Sequence, residues 1–188
     1  SDASNDILPI CVLGTYSAGK STFINSLIGS ELLPSAETPV TAKVYKISST
    51  PHDDRASIRI TFKGKDAKIQ FRDYQLVVDG LTDGEELLTS IKEALDEEKP
   101  ASIIEKVRLV LEELNDISDS EIGDLIEIEV PFSRSALDDI NYKIAIFDTP
   151  GSNSSTNLQH SDVLDKAMKG MSNGLPIFVT DSSSMDST

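Results

Sequence analysis

The spacing of apolar and polar positions changes several times along the chain, and each change predicts an element. Leu8 to Leu13 is a short continuous apolar run, the pattern of a strand buried on both faces, and it ends at Gly14. A helix is predicted from about Gly19 to Ile28, with Phe23, Ile24, Leu27 and Ile28 on one face and Gly29 as its stop. Residues 30–42 hold Pro34 and Pro39 among polar residues and read as a loop. Three strand-like segments follow: Val44 to Ser48, Ser57 to Lys63 and Ala67 to Arg72, with a hairpin turn at Gly64-Lys65-Asp66.

The period then lengthens to that of helices. Thr82 with Glu85 reads as a capping box ahead of an apolar stripe made by Leu87, Leu88, Ile91, Ala94 and Leu95, closed by Pro100. Ser102 with Glu105 opens a second helix, whose stripe is Ile103, Ile104, Val107, Val110, Leu111 and Leu114. After an acidic link, Leu125 to Val130 alternates Ile126, Ile128 and Val130 against Glu127 and Glu129, which predicts a half-exposed antiparallel strand near an edge. Lys143 to Phe147 is the next strand, running into Asp148-Thr149-Pro150-Gly151. A Ser/Asn-rich loop, a helix to Met171 and a last apolar strand from Leu175 to Val179 complete the pattern. The order is that of an α/β fold with a mixed, mostly parallel sheet flanked by helices, and with an inserted hairpin and helical segment.

Composition narrows the function classes. A net charge of −15 over 188 residues repels phosphate backbones, which argues against nucleic acid as a partner and against this segment lying on anionic lipid. It leaves room for a nucleotide, whose phosphates can be held by backbone N–H groups and one Lys. The one cysteine, Cys11, cannot form a disulfide within a single chain, which suits a reducing compartment. No apolar stretch reaches the ~18 residues of a membrane span, and the polar N-terminus lacks the regions of a signal peptide. A cytoplasmic domain is the expectation. His52 and His160 lie far apart, with no ligand cluster at metal spacing, so no zinc site is expected.

Gly14-Thr15-Tyr16-Ser17-Ala18-Gly19-Lys20-Ser21 fits the phosphate-loop pattern GxxxxGK[ST] in full, after a strand and before a helix. Glycines let the backbone curl close around a phosphate. The helix after Gly19 aims its free N–H groups and positive dipole end at the anion. Lys20 supplies a charge between the β- and γ-phosphates, and Ser21 offers a hydroxyl to Mg²⁺. Asp148, at the end of a second apolar strand, has the place of a Mg²⁺-binding aspartate, and Gly151 can offer its N–H to the γ-phosphate. The loop from Leu33 to Ala42 offers Thr38 and Thr41 as hydroxyls able to reach the metal in the triphosphate state, and chemistry alone does not choose between them.

The runs SAGKSTFINSLIG, LLP, TPVTA and IFDTPG together resemble the dynamin-like GTPases, most closely the bacterial type, over residues 8–48 and 125–180. The resemblance implies GTP hydrolysis to GDP with Mg²⁺, a homodimer formed through the G domain across the nucleotide, and membrane remodelling by parts outside this chain, so that a longer parent protein is membrane-associated. It assigns Thr41 the switch role and a share in the metal, and gives Ser17 support of the β–γ bridging oxygen and, in some members, of a monovalent cation. The nucleotide then lies along Gly14, Ser17, Ala18, Gly19, Lys20, Ser21 and Thr22, with Ser21, Thr41 and Asp148 at the metal. Residues 8–50 become phosphate loop and first switch, 51–124 an insertion, and 125–180 the second switch with its following strand.

The chain departs from the family pattern in three places. Tyr16 stands where animal dynamins have a glutamine, Ser152 follows the DTPG, and no [NT]KxD guanine motif occurs. The expectation is therefore a G domain cut before its base-recognition strand, with about four core strands. Two rival readings remain: an assembly or regulatory module with little turnover, and a phosphate-loop ATPase of another family.

Overall fold

The computed structural model describes residues 7–14, 18–33, 43–118, 120–133, 143–150, 162, 165, 166, 168, 169 and 177–180. The first apolar run forms β1 (Ile7–Gly14), followed by α1 (Ala18–Ile28) and β2 (Val44–Ser49). Then come β3 (Ala56–Phe62), β4 (Lys65–Arg72), β5 (Gln75–Asp79), α2 (Glu85–Glu98) and α3 (Ile103–Asn115). The chain continues with β6 (Leu125–Val130), β7 (Lys143–Pro150) and β8 (Ile177–Thr180). Backbone at 162, 165, 166 and 168 is helical, and the remainder of the helix expected there lies outside the described residues.

All eight strands join one sheet in the order β5-β4-β3-β6-β2-β7-β1-β8. Strands β7, β1 and β8 are parallel, β2 is antiparallel to β7, and β6 is parallel to β2. Hairpin pairing then adds β3, β4 and β5. The segment read as an insertion therefore widens the sheet.

Register explains the core. Val78, Ile69, Ile58, Ile128, Ile47, Ile146 and Ile10 form one cross-strand row over seven strands. Six of these seven are buried, Val78 is half-buried, and they share one cluster with Ile24 and Ile28 of α1, Ile91 of α2 and the stripe of α3. Burying a side chain of this size contributes about 2 kcal/mol, so three helices on one face account for the stability of that side. All six expected stripe residues of α3 are buried. On α1 the face is narrower than expected, since Phe23 is 37% exposed while Ile24 and Ile28 are sealed.

Helix ends follow local chemistry. Ser102 Oγ accepts from Glu105 N at 3.1 Å, and Glu105 Oε2 accepts from Ala101 N at 3.0 Å, the reciprocal capping expected for α3. The Thr82 box does not form; Gly84 is the N-cap of α2, with no side-chain cap bond. The turn before it is held otherwise. Leu81 packs so closely on Gly84 that a Cβ there would meet its Cγ at 2.6 Å, and Lys65 Nζ binds Asp83 Oδ2 at 3.1 Å.

Three strand expectations are corrected. The β3–β4 turn is Lys63-Gly64, both at positive φ, one residue earlier than read, because Phe62 pairs with Lys65. Strand β6 is not at an edge; it lies inside the sheet, parallel to β2 and antiparallel to β3, and its half-buried Glu127 and exposed Glu129 reflect one open face of the sheet. The hydrophobic pattern does not announce β5. Its turn is Asp73-Tyr74, at φ 50° and 65°, with neither Gly nor Asn to mark it.

Candidate phosphate-binding site

Strand β1 ends at Gly14 and α1 begins at Ala18, so only three residues separate the strand from the helix N-terminus. That spacing places the first-turn N–H groups of α1, which have no partner within the helix, at the carboxyl end of β1. Strand β7 runs parallel beside β1, with Val12 paired to Asp148, Leu13 to Thr149 and Gly14 to Pro150. The backbone of Asp148 is thus one strand spacing, about 4.8 Å, from β1 at the same end of the sheet.

Strand β2 supplies the third side. It runs opposite to β7, and Tyr45 pairs with Asp148, so the amino end of β2 emerges where β1 and β7 terminate. Three segments far apart in sequence meet at one end of the central strands: Gly14 with Ala18–Ser21, Asp148, and the segment leading into Val44. Of the expected site residues, Gly14, Ala18, Gly19, Lys20, Ser21, Thr22 and Asp148 fall on these elements. Ser21 is half-buried and Thr22 exposed. Ser17, Thr38, Thr41 and Gly151 lie outside the described residues.

Residues that pattern reading passed over hold the edge in place. Asn25 Oδ1 accepts from the N–H of both Leu32 and Leu33 at 3.0 Å, while its carbonyl accepts from Gly29 and Ser30. Gly29, at φ 82°, makes that reversal possible. One residue thus ends α1 through its carbonyl and pins Leu32 and Leu33, both buried, through its side chain. A half-buried Asn serving the N–H groups of two buried leucines leaves no sequence signal beyond its place inside an apolar helix. Lys43, two residues after Thr41, is 3% exposed, an uncommon position for a lysine. Tyr45 donates its hydroxyl to Asn115 Oδ1 at 3.0 Å, tying the strand beside Asp148 to the last residue of α3.

The opposite sheet face is apolar here. Cys11, Val44, Ala145 and Phe147 form a second buried cluster against which Met168 packs. Cys11 donates its S–H toward Met168 Sδ at 3.8 Å, and burial pushes its thiol up to about 11. It is therefore a neutral packing residue without thiolate chemistry. Elsewhere, a hollow of about 800 Å³ lies between the start of α2 and the end of α3. Its carboxylates, Asp83, Glu85, Glu86, Glu113, Asp116 and Glu121, would repel a triphosphate, and none of its lining belongs to β1, α1 or β7.

A sequence profile described as the dynamin family matches residues 10–188. Dynamin-like protein A of Bacillus subtilis (strain 168) is 36% identical over 58 residues, which is 30% of this chain and 5% of that protein. A solved structure, reported as an oligomerised bacterial dynamin pair that provides a mechanism for long-range sensing and tethering of membranes, aligns over 98% of this chain and 27% of its own. Its identity is 16% and its TM-score 0.42. A second structure of such a pair aligns over 95% of this chain and 27% of its own, at 18% identity and a TM-score of 0.40. The chain thus spans only a small part of these relatives.

Proposed function

Because this chain belongs to the dynamin family, we propose that it binds GTP and hydrolyses it as part of a dynamin-like G domain. Residues 8–50 form the phosphate loop and first switch, 51–124 an insertion, and 125–180 the second switch region. The observation that supports the reading is the meeting of the phosphate-loop helix, Asp148 and the amino end of β2 at one end of the central strands.

The donors this chain offers a metal are the hydroxyls of Ser21 and Thr41 and the carboxylate of Asp148. They are hard oxygen ligands of the kind Mg²⁺ takes. When bound, Mg²⁺ supplies positive charge to the β- and γ-phosphates. The backbone from Gly14 to Thr22 cradles the phosphates, and Lys20 sets its ammonium between them. Ser17 supports the β–γ bridging oxygen, alone or with a monovalent cation, while Thr41 and the Gly151 N–H hold the γ-phosphate. Water attacks the γ-phosphorus, the bond to the bridging oxygen breaks, a proton of the water passes to the γ-phosphate, and GDP and inorganic phosphate leave, the new charge on GDP met by Lys20 and Ser17. Tyr16 and Ser152 supply no glutamine, so a second G domain docking across the nucleotide completes the site. The longer protein acts on membranes through segments outside this chain, from the cytoplasm.

Titration of fluorescent GDP and ADP analogues with Mg²⁺, against Lys20→Ala, tests this. GDP should bind selectively, and Lys20→Ala should weaken it about 100-fold, the effect of deleting one partner of a desolvated charge pair. Binding that needs Lys20 but ignores the base would leave a phosphate site without guanine selectivity. No binding by folded protein would sink the GTPase reading and favour an assembly module.

A further inference from the structure

Strand β5 is an edge strand of the sheet, six strand spacings or about 29 Å from β1. We propose that β5 is a homotypic docking strand: two copies of this chain pair antiparallel along it, about a two-fold axis through Val77, merging their sheets.

The direction of its free backbone groups follows from the turns. A two-residue turn at positive φ, such as Asp73-Tyr74, closes on a hydrogen-bonded pair, here Arg72 with Gln75. Alternation then bonds Val77 and Asp79 to β4 and turns the N–H and C=O of Leu76 and Val78 outward. The neighbouring hairpin agrees. Its closing pair, Phe62 with Lys65, sends the carbonyl of Thr61 away from β4, where Gly123 N donates to it at 2.8 Å. No described residue hydrogen-bonds to the outward groups of Leu76 and Val78.

Edges of soluble sheets are commonly blunted by proline, a bulge or an inward charge. The segment Gln-Leu-Val-Val-Asp has none of these, and its ladder with β4 is unbroken. Its sequence also complements itself. With Val77 on the axis, Leu76 faces Val78 of the other copy and both exchange N–H···O bonds. Gln75 faces Asp79, so an amide donor meets a carboxylate that, among the described residues, accepts from Gln70 Nε2 at 3.1 Å. Tyr74, 47% exposed, comes opposite Gly80, where no side chain competes for the space. Sliding by one hydrogen-bonded step in one direction would set Asp73 against Asp79, like charge on like, while sliding in the other would lose the Gln75–Asp79 pair, so the register centred on Val77 keeps the best contacts.

The contact is small, so pairing is weak and concentration-dependent. It needs no nucleotide, because the phosphate site is at the far side of the sheet. Since each copy carries −15, screening by salt strengthens it.

Sedimentation velocity over a wide range of chain concentrations, without nucleotide, tests this. The wild-type chain should dimerise. Val77→Lys brings two ammonium groups together on the axis and should weaken pairing about fivefold or more, as should Val77→Glu with two carboxylates. Mixing the two variants should restore pairing as a heterodimer, a result no folding defect can produce. A wild-type chain monomeric at the highest concentration overturns the proposal. So does a dimer indifferent to Val77→Lys, or a mixture that stays monomeric.

Discussion

The two halves of the sheet obey different rules. In the parallel half, both faces of β1 and β7 are buried: Ile10, Val12 and Ile146 pack under the helices, and Cys11, Ala145 and Phe147 pack on the far side. In the antiparallel half the helix side is sealed and the other face is mostly open, with Gln70 of β4 its buried exception. Its other face carries Asp79, Lys68, Arg59, Glu127 and Lys46 in a single row, in register with Phe147 and Cys11. One line of side chains thus passes from charged to apolar between β2 and β7. Parallel strands need crossover connections, which cover their faces, whereas hairpins close within the sheet and leave a face to water. The covered half is the one whose strands β1 and β7 end at Gly14 and Asp148, the positions of the phosphate-loop and DTPG motifs.

That contrast can be broken by substitution along the shared row. Phe147→Ala should cost about 3–5 kcal/mol in denaturant unfolding, since it empties a sealed site. Glu127→Gln, two strands away in the same row, should stay within about 0.5 kcal/mol. Comparable losses at both positions would mean that the charged face is covered in solution.

Asn25→Ala tests the floor of the site. It strips two buried N–H groups of their acceptor and should destabilise the chain by about 2 kcal/mol. Hydrogen exchange at Leu32 and Leu33 should speed up ahead of exchange in α3. Unchanged exchange there would show that water or a neighbour replaces the amide.

The smallest effect lies on the open half. Burial, then the charges of Asp116, Glu112 and Glu93, raise the affinity of Glu113 for its proton above the ordinary carboxylate range. A carboxyl with a raised folded-state pKa favours folding below its unfolded value and loses that contribution as pH rises through the folded value. At pH 7 the ionised Glu113 is therefore a small liability. Glu113→Gln should stabilise by ~0.3 kcal/mol at pH 7, the scale of a like-charge pair on a helix, and the gain should fade as the pH drops below the carboxylate range. A gain that persists at low pH would point to packing as its cause.

Much of this was legible beforehand for reasons that particular residues make plain. The run from Leu8 to Leu13 and the stripe of α3 announce themselves because a buried strand and an amphipathic helix have different periods. The phosphate loop announces itself because few residue types allow a backbone to wrap a phosphate. Strand β5 stayed hidden because its turn uses Tyr74 at positive φ, a choice tolerated by context and not by propensity. The alternation in Leu125 to Val130 was read correctly as one buried and one open face, yet it said nothing of neighbours, and β6 proved to be interior.

Local sequence by itself determined most of the strands and helices, β5 excepted, and carried the phosphate-loop motif, because these depend on residues close together in the chain. Only the tertiary structure decided that Tyr45 pairs with Asp148, that Asn25 pins Leu32 and Leu33, and that the hairpins widen the same sheet. Those choices rest on register and burial between segments up to a hundred residues apart, where free energy comes from the fit of one surface to another.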